Sequence, residues 1–99
     1  MQNMKPVNWN TEKNIRLKAE RDVSFEEVLS ALSHGGLLDI QEHPNTHQYP
    51  NQRMLVVRMR GYAYLVPFVE SESEVFLKTI IPSRKATRKY LSQQFEPTT

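Results

Sequence analysis

Residues 53–69, RMLVVRMRGYAYLVPFV, constrain the fold more than any other stretch. Two runs rich in β-branched and aromatic residues flank Gly61. They read as a strand, a tight turn or bulge, and a returning strand. Pro67 lies inside the second run and removes one ladder hydrogen bond, which predicts an edge position or a bulge there. VFLKTII, residues 75–81, reads as a further strong strand, and LLDIQE, residues 37–42, as another. VNW at 7–9 reads as a short one.

Helical signals bracket these strands. A helix is expected from about Thr11 to Arg21, with Trp9 beneath its weak apolar stripe. In DVSFEEVLSALSHGG, Ser24 and Glu27 have capping-box spacing, and Val23 and Val28 have that of a hydrophobic staple. Phe25, Val28, Leu29 and Leu32 make one apolar face. Gly35 or Gly36 should end the helix in the left-handed cap. Pro82 bars simple continuation of the last strand, and Ser83 caps a final helix from Arg84 to about Gln94, with Ala86, Leu91 and Tyr90 towards the sheet. The expectation is an α+β domain: two N-terminal helices, an antiparallel or mostly antiparallel sheet of about four strands, and a C-terminal helix.

A chain of 99 residues reads as one domain over 1–99 with a modest core. Three glycines and no GxxxxGK or GxGxxG run argue against a glycine-rich phosphate loop. Cysteine is absent, which excludes disulfides and thiolate chemistry and fits a reducing compartment. No apolar run is long enough to span a membrane, and MQNMKPVNWN lacks the apolar core of a signal peptide. A cytoplasmic location with no membrane partner is expected.

The net charge is only +2, but its distribution is uneven. Glu70, Glu72 and Glu74 lie together. The segment 76–95 then holds Lys78, Arg84, Lys85, Arg88 and Lys89 and no acidic residue. Like charges on neighbouring helical turns repel, so this block suits a phosphate backbone or an acidic partner. Arg84 opens the last helix, where the dipole disfavours a cation and favours an anion. Ser83, Arg84 and that helix end together suit one phosphate.

Arg53, Arg58 and Arg60 lie on the strand before Gly61. Arg58 and Arg60 share a face if no bulge intervenes, and Arg53 has the opposite parity. Tyr62 and Tyr64 are candidates for base stacking or hydrogen bonding. His43 and His47 flank a loop beside Glu42 without the spacing of a strong metal motif, and His34 sits near a helix end. Nothing indicates a hydrolytic triad. RNA cleavage needs less: a base for the 2′-hydroxyl, cations for the phosphorane oxygens and a proton donor for the leaving 5′ oxygen. Arginine, lysine and tyrosine can share these roles without a metal or other cofactor.

Two stretches resemble the BrnT family of bacterial type II toxins. WNTEKNIRLKAERDVSFEE, residues 9–27, matches the family's opening at Trp9, Lys13, Val23, Ser24, Phe25, Glu26 and Glu27. IIPSRKATRKY, residues 80–90, matches its Arg-Lys-Ala-Thr-Arg segment at Arg84, Lys85, Ala86, Thr87 and Arg88. Between them LLDIQEHPN and QRMLVV follow the family's loop and strand pattern, so the resemblance spans about residues 9–91.

The resemblance implies a RelE-like fold and a metal-independent endoribonuclease toxin that inhibits translation and growth. It also implies a cognate small antitoxin with a ribbon-helix-helix DNA-binding domain, operator DNA being bound only through the complex. Arg84 and Arg88 are the leading catalytic candidates, with Lys13, Glu20, Arg21, Arg53 and Tyr62 behind them. Where many members carry Lys-His-Gly, this chain has Glu20-Arg21-Asp22. In a composite site Arg21 would hold phosphate and Glu20 would act as base. Such a site requires Arg84 to share one cleft with Glu20, Arg21 or Arg53, and it fails if the last helix lies opposite the first two. The alternative is a catalytically inactive or divergent toxin-like protein that binds RNA or an antitoxin and acts in operon regulation.

Overall fold

The structure, a computed structural model, describes residues 5–92. β1 (Val7–Trp9) leads into α1 (Thr11–Arg21) and α2 (Phe25–Ser33). Then come β2 (Leu37–Glu42), β3 (Gln52–Met59), β4 (Tyr62–Glu70), β5 (Val75–Leu77), β6 (Ile81–Pro82) and α3 (Arg84–Tyr90). The sheet order is β1-β5-β4-β3-β2, with β6 also on β4. All pairings are antiparallel except β1 with β5. The protein is thus an α+β domain with a mixed, mostly antiparallel sheet.

The expected single strand over VFLKTII is split into β5 and β6, and with the short β1 this raises the count from about four to six. Pro67 explains the break. In an antiparallel ladder a residue's N–H and C=O point to the same side. The Pro67 carbonyl accepts Lys78 N–H at 2.8 Å, so its missing N–H also lies towards the β5–β6 segment. Pairing stops there and resumes at Leu65–Ile81. β4 is therefore an interior strand, and its proline sits at the gap between two short partners.

Asn10 caps α1, its side-chain oxygen accepting Lys13 N–H at 2.8 Å. Asp22 ends α1 in the left-handed conformation, φ 60°. Ser24 accepts Glu27 N–H as the capping box requires, and Gly35 takes the left-handed position after α2. The final helix is shorter than expected. It ends at Tyr90, and position 94, its expected limit, lies outside the described residues.

Alternation along β3 and β4 divides the interior in two. Leu55, Val57, Met59, Val66 and Phe68 pack with Leu17, Val23, Phe25 and Val28 of the α1–α2 region. Trp9 stacks on Phe25 there, with ring centroids 5.5 Å apart. Val56 and Ala63 face the other way and pack with Ala86 and Leu91, joined by Leu38, Leu65 and Tyr90. A strand's successive side chains point to opposite faces. Hence α3 covers one face of the sheet, and α1 and α2 cover the other.

Candidate nucleic-acid interface

α3 is held to the uncovered edge of β4. The Ala63 N–H donates to Thr87 Oγ1 at 2.9 Å, and the Ala63 carbonyl accepts Ser83 N–H at 3.0 Å. Thr87 Oγ1 in turn donates to the Ser83 carbonyl at 2.8 Å, and Ser83 Oγ accepts Ala86 N–H at 3.0 Å. Thr87 therefore completes the β4 edge where β6 ends, a role that no local sequence pattern signals.

This docking distributes the four cations of α3 over two flanks. Arg84 and Arg88 line a shallow concavity of about 280 Å³ with Gly61, Thr87 and Leu91, over the β3–β4 turn. Lys85 and Lys89 line a second, of about 260 Å³, towards β2. Arg84, Lys85 and Arg88 make no ion pair among the described residues, and Lys89 lies over the Tyr90 ring at 5.1 Å. Lys89 also feels the Asp39 carboxylate, which leaves Arg84, Lys85 and Arg88 as the charge on these two turns that could meet a polyanion. With only seven residues in α3 and Ser83 occupying the Ala86 N–H, the helix end itself adds little.

The other candidates lie elsewhere. Arg21 is spent on structure: its Nη1 donates to the Ile80 carbonyl at 2.7 Å and ties the end of α1 to the segment between β5 and β6. Arg53 stands at the far end of the β3–β4 ladder from Gly61, paired with Glu70 at 2.7 Å and stacked over Phe68. Glu42, Glu70 and Glu72 line the same cavity, of about 560 Å³, and that negative charge opposes a phosphate. Glu20 is exposed on α1 and Lys13 is half-buried there, both on the helix layer opposite α3. Tyr62 meets Tyr64 edge-to-face at 5.9 Å, and Tyr64 packs against the α1–α2 core. The one-cleft expectation for Arg84 with Glu20, Arg21 or Arg53 therefore fails: the sheet separates α3 from α1 and α2, and Arg53 lies at the other end of the β3–β4 ladder from the Arg84 concavity.

Arg60 also departs from expectation. β3 ends at Met59, and Arg60 takes a left-handed φ of 58°, so it does not continue the face of Arg58. Its guanidinium holds Glu27 and the Asp22 carbonyl instead. His34 donates from Nδ1 to the Ser30 carbonyl, and His43 Nδ1 accepts Asn45 N–H. No group of three or more His, Asp or Glu among the described residues is placed to share a metal ion.

Beside the lysine flank lies a network that sequence reading missed. Tyr90 donates its phenolic proton to Asp39 Oδ2 at 2.5 Å and accepts from Gln41 Nε2 at 2.8 Å. Asp39 Oδ1 accepts Ile40 N–H at 2.8 Å. The Tyr90 hydroxyl, followed by the Ile40 amide, holds the Asp39 carboxyl below its ordinary range. The partners are 51 positions apart, so nothing local in the sequence could have joined them.

No helix is long and apolar enough to cross a membrane among the described residues. No family model, no curated protein and no solved structure matches the chain.

Proposed function

We propose that the chain is a toxin-like domain that binds RNA through the outer surface of α3. The carrying observation is the shared concavity of Arg84 and Arg88, two guanidinium groups one turn apart with no carboxylate lining it. Arginine forks suit the paired non-bridging oxygens of a phosphodiester. Arg53 and Arg60, by contrast, are neutralised by Glu70 and Glu27. The reading takes the fold as RelE-like. Two helices on one sheet face and a short basic helix on the other support it, together with the resemblance to BrnT toxins.

The test is binding of a short single-stranded RNA over a range of salt. Each phosphate contact should contribute about 0.7 to the slope of log K against log salt. Arg84→Gln/Arg88→Gln should lower that slope while the protein remains folded. Affinity independent of salt, or unchanged in the double variant, overturns the reading.

Endonucleolytic cleavage is the second reading, favoured by the same pair of forks, which suits the extra charge of a phosphorane. On this reading the chemistry would draw on groups of the α3 face. Incubation of labelled RNA with the protein should yield 2′,3′-cyclic phosphate ends, and activity should survive exhaustive chelation. Intact RNA under conditions of saturated binding would leave the domain a binder, the form in which a cognate DNA-binding antitoxin and operon regulation complete its role. The exposed Leu37 and Ile40 on the outer strand β2 support a protein partner, and co-purification with the product of a neighbouring gene tests it.

A further inference from the structure

We infer that the concavity between α3 and the β2–β4 face is a second phosphate site, built from Lys85, Lys89 and Ser83 beside a fixed Tyr90 and Gln41. The inference deepens the RNA reading and rests on it for the identity of the ligand. The site itself stands on its own geometry.

A count of donors and acceptors gives the chemistry. Both Asp39 oxygens already accept, one from Ile40 N–H and one from the Tyr90 hydroxyl. The Tyr90 oxygen gives its proton to Asp39 and accepts from Gln41. Ser83 Oγ accepts Ala86 N–H, which leaves its hydroxyl hydrogen to donate. An ammonium group has donors only, and Lys85 and Lys89 supply two of them. Gln41 is engaged with the Tyr90 hydroxyl and with the Asp39 carboxyl, so it steadies the wall and adds no free donor. Leu65 and Ala86 form an apolar floor that offers no competing polar group. Donors therefore dominate the lining of a space of about 260 Å³, ample for a tetrahedral oxyanion; the Asp39 carboxylate, whose charge acts on Lys89, is not among the lining residues.

The Tyr90–Asp39 bond gives the site its rigidity. It ties the last residue of α3 to β2, and Gln41 fixes the phenol from the next position on the same face. Lys89 lies over the ring. The lysine flank thus has a held wall, whereas a solvated helix face would have none. A strand crossing α3 would meet the arginine pair on one flank and this site on the other, separated by roughly the 10 Å diameter of a helix.

Inorganic phosphate is the first probe, followed by amide NMR of the full chain. Saturable shifts are expected at the Gln41 side-chain amide and at the Ser83 and Lys85 backbone amides. Lys85→Gln/Lys89→Gln should weaken phosphate binding roughly tenfold or more, and Arg84→Gln/Arg88→Gln should leave these shifts in place. Lys85→Arg should retain most of the affinity. Competition by single-stranded RNA then distinguishes the ligand's source. Displacement of phosphate by RNA assigns the site to the nucleic-acid backbone. Phosphate binding without RNA competition supports the site and assigns it to a free phosphate, which separates its fate from that of the RNA reading. Shifts confined to the Gly61–Arg84–Arg88 flank, no shifts at all, or wild-type affinity in the folded lysine variant would overturn the inference.

Discussion

Arg60 grips the Glu27 carboxylate with two parallel hydrogen bonds, Nε to Oε2 at 2.7 Å and Nη2 to Oε1 at 2.8 Å. Nη2 also donates to the Asp22 carbonyl at 2.7 Å. The fork joins the end of β3 to the α1–α2 junction, so Glu27 gives its backbone N–H to the Ser24 cap and its carboxylate to the clamp. Arg60 holds a left-handed backbone to do this, a conformation that disfavours any residue with a Cβ. Arg60→Ala keeps the backbone cost and loses the fork, whereas Arg60→Gly loses the fork and relieves the backbone. Both should melt below wild type, the glycine variant above the alanine one. Equal melting temperatures for wild type and Arg60→Ala would show that the clamp contributes nothing.

Gly36 is required by space. A Cβ there would lie 2.8 Å from the Ala31 carbonyl oxygen and 3.0 Å from that of Arg58. Both are backbone atoms, held by the Gly36 N–H to Ala31 and the Arg58 N–H to Gly36 hydrogen bonds. Gly36→Ala should cost roughly 1–3 kcal/mol, as overpacking of a tight site does. Each kcal/mol lowers the melting temperature by about 4–8 °C in a domain of this size. Gly35→Ala offers a contrast: no atom crowds its Cβ, and only its φ of 81° opposes the substitution. Thermal melting of Gly36→Ala beside wild type decides whether the close approach matters.

Thr87 should matter through its hydroxyl and not its charge environment. Thr87→Val keeps the shape but leaves the Ala63 N–H without its acceptor. An unsatisfied buried amide costs about 1–3 kcal/mol. Faster hydrogen exchange at Ala63 with lower overall stability is expected. Unchanged protection of that amide would sink the edge-capping role.

Acid should weaken the fold through carboxylates whose ionised forms are held by partners. Asp39 is lowered chiefly by Tyr90, Asp22 by Lys18 and then Arg60, Glu70 by Lys5 and then Arg53, and Glu26 by the Asn14 amide. A depressed folded-state value means that the stabilisation is present above the unfolded value, about 4, and is lost as pH falls through the lower folded one. Melting temperature should therefore drop below about pH 4. Salt should blunt the part due to the exposed Asp22 and Glu70 pairs. Asp39→Asn should flatten part of the acid limb that salt does not remove. A melting temperature constant from pH 6 to pH 2 would contradict all four assignments.

The elements were legible where the signal is local. α1 spans Thr11–Arg21 as expected, and the Ser24 cap and the Gly35 turn need only a few neighbouring residues. Pro67 was legible as a disturbance but not as the divider between β5 and β6, because that depends on which strand pairs with its far side. The side of α3 towards the sheet, with Ala86, Leu91 and Tyr90, was legible in the sequence, but which face of the sheet it meets was not. It follows from Ala86 and Leu91 meeting Val56 and Ala63, a contact across the sheet. For the same reason Arg21 and Arg53 looked like site residues in the sequence. A basic side chain in a sequence does not reveal that Arg21 reaches the Ile80 carbonyl or that Arg53 meets Glu70.

Arg84→Ala carries the sharpest prediction about function. Arg84 follows Pro82 and the Ser83 cap, and it shares its concavity with Arg88 one turn on. It makes no ion pair among the described residues, so its removal should not harm the fold. RNA binding should lose about 0.7 from the salt slope, the share of one single-strand phosphate contact. If the protein cleaves RNA, loss of one donor to the phosphorane should slow cleavage by about a hundredfold to a thousandfold. Arg84→Lys should recover charge and most of the salt slope but only part of the rate, since lysine lacks the fork. Arg88→Ala should resemble Arg84→Ala, because the two residues line one concavity. Lys89→Ala should affect cleavage less, because Lys89 lies on the other flank, over Tyr90. Circular dichroism at equal concentrations controls for folding. A folded Arg84→Ala protein with wild-type salt slope and wild-type cleavage would remove Arg84 from the interface and leave the α3 surface to a protein partner.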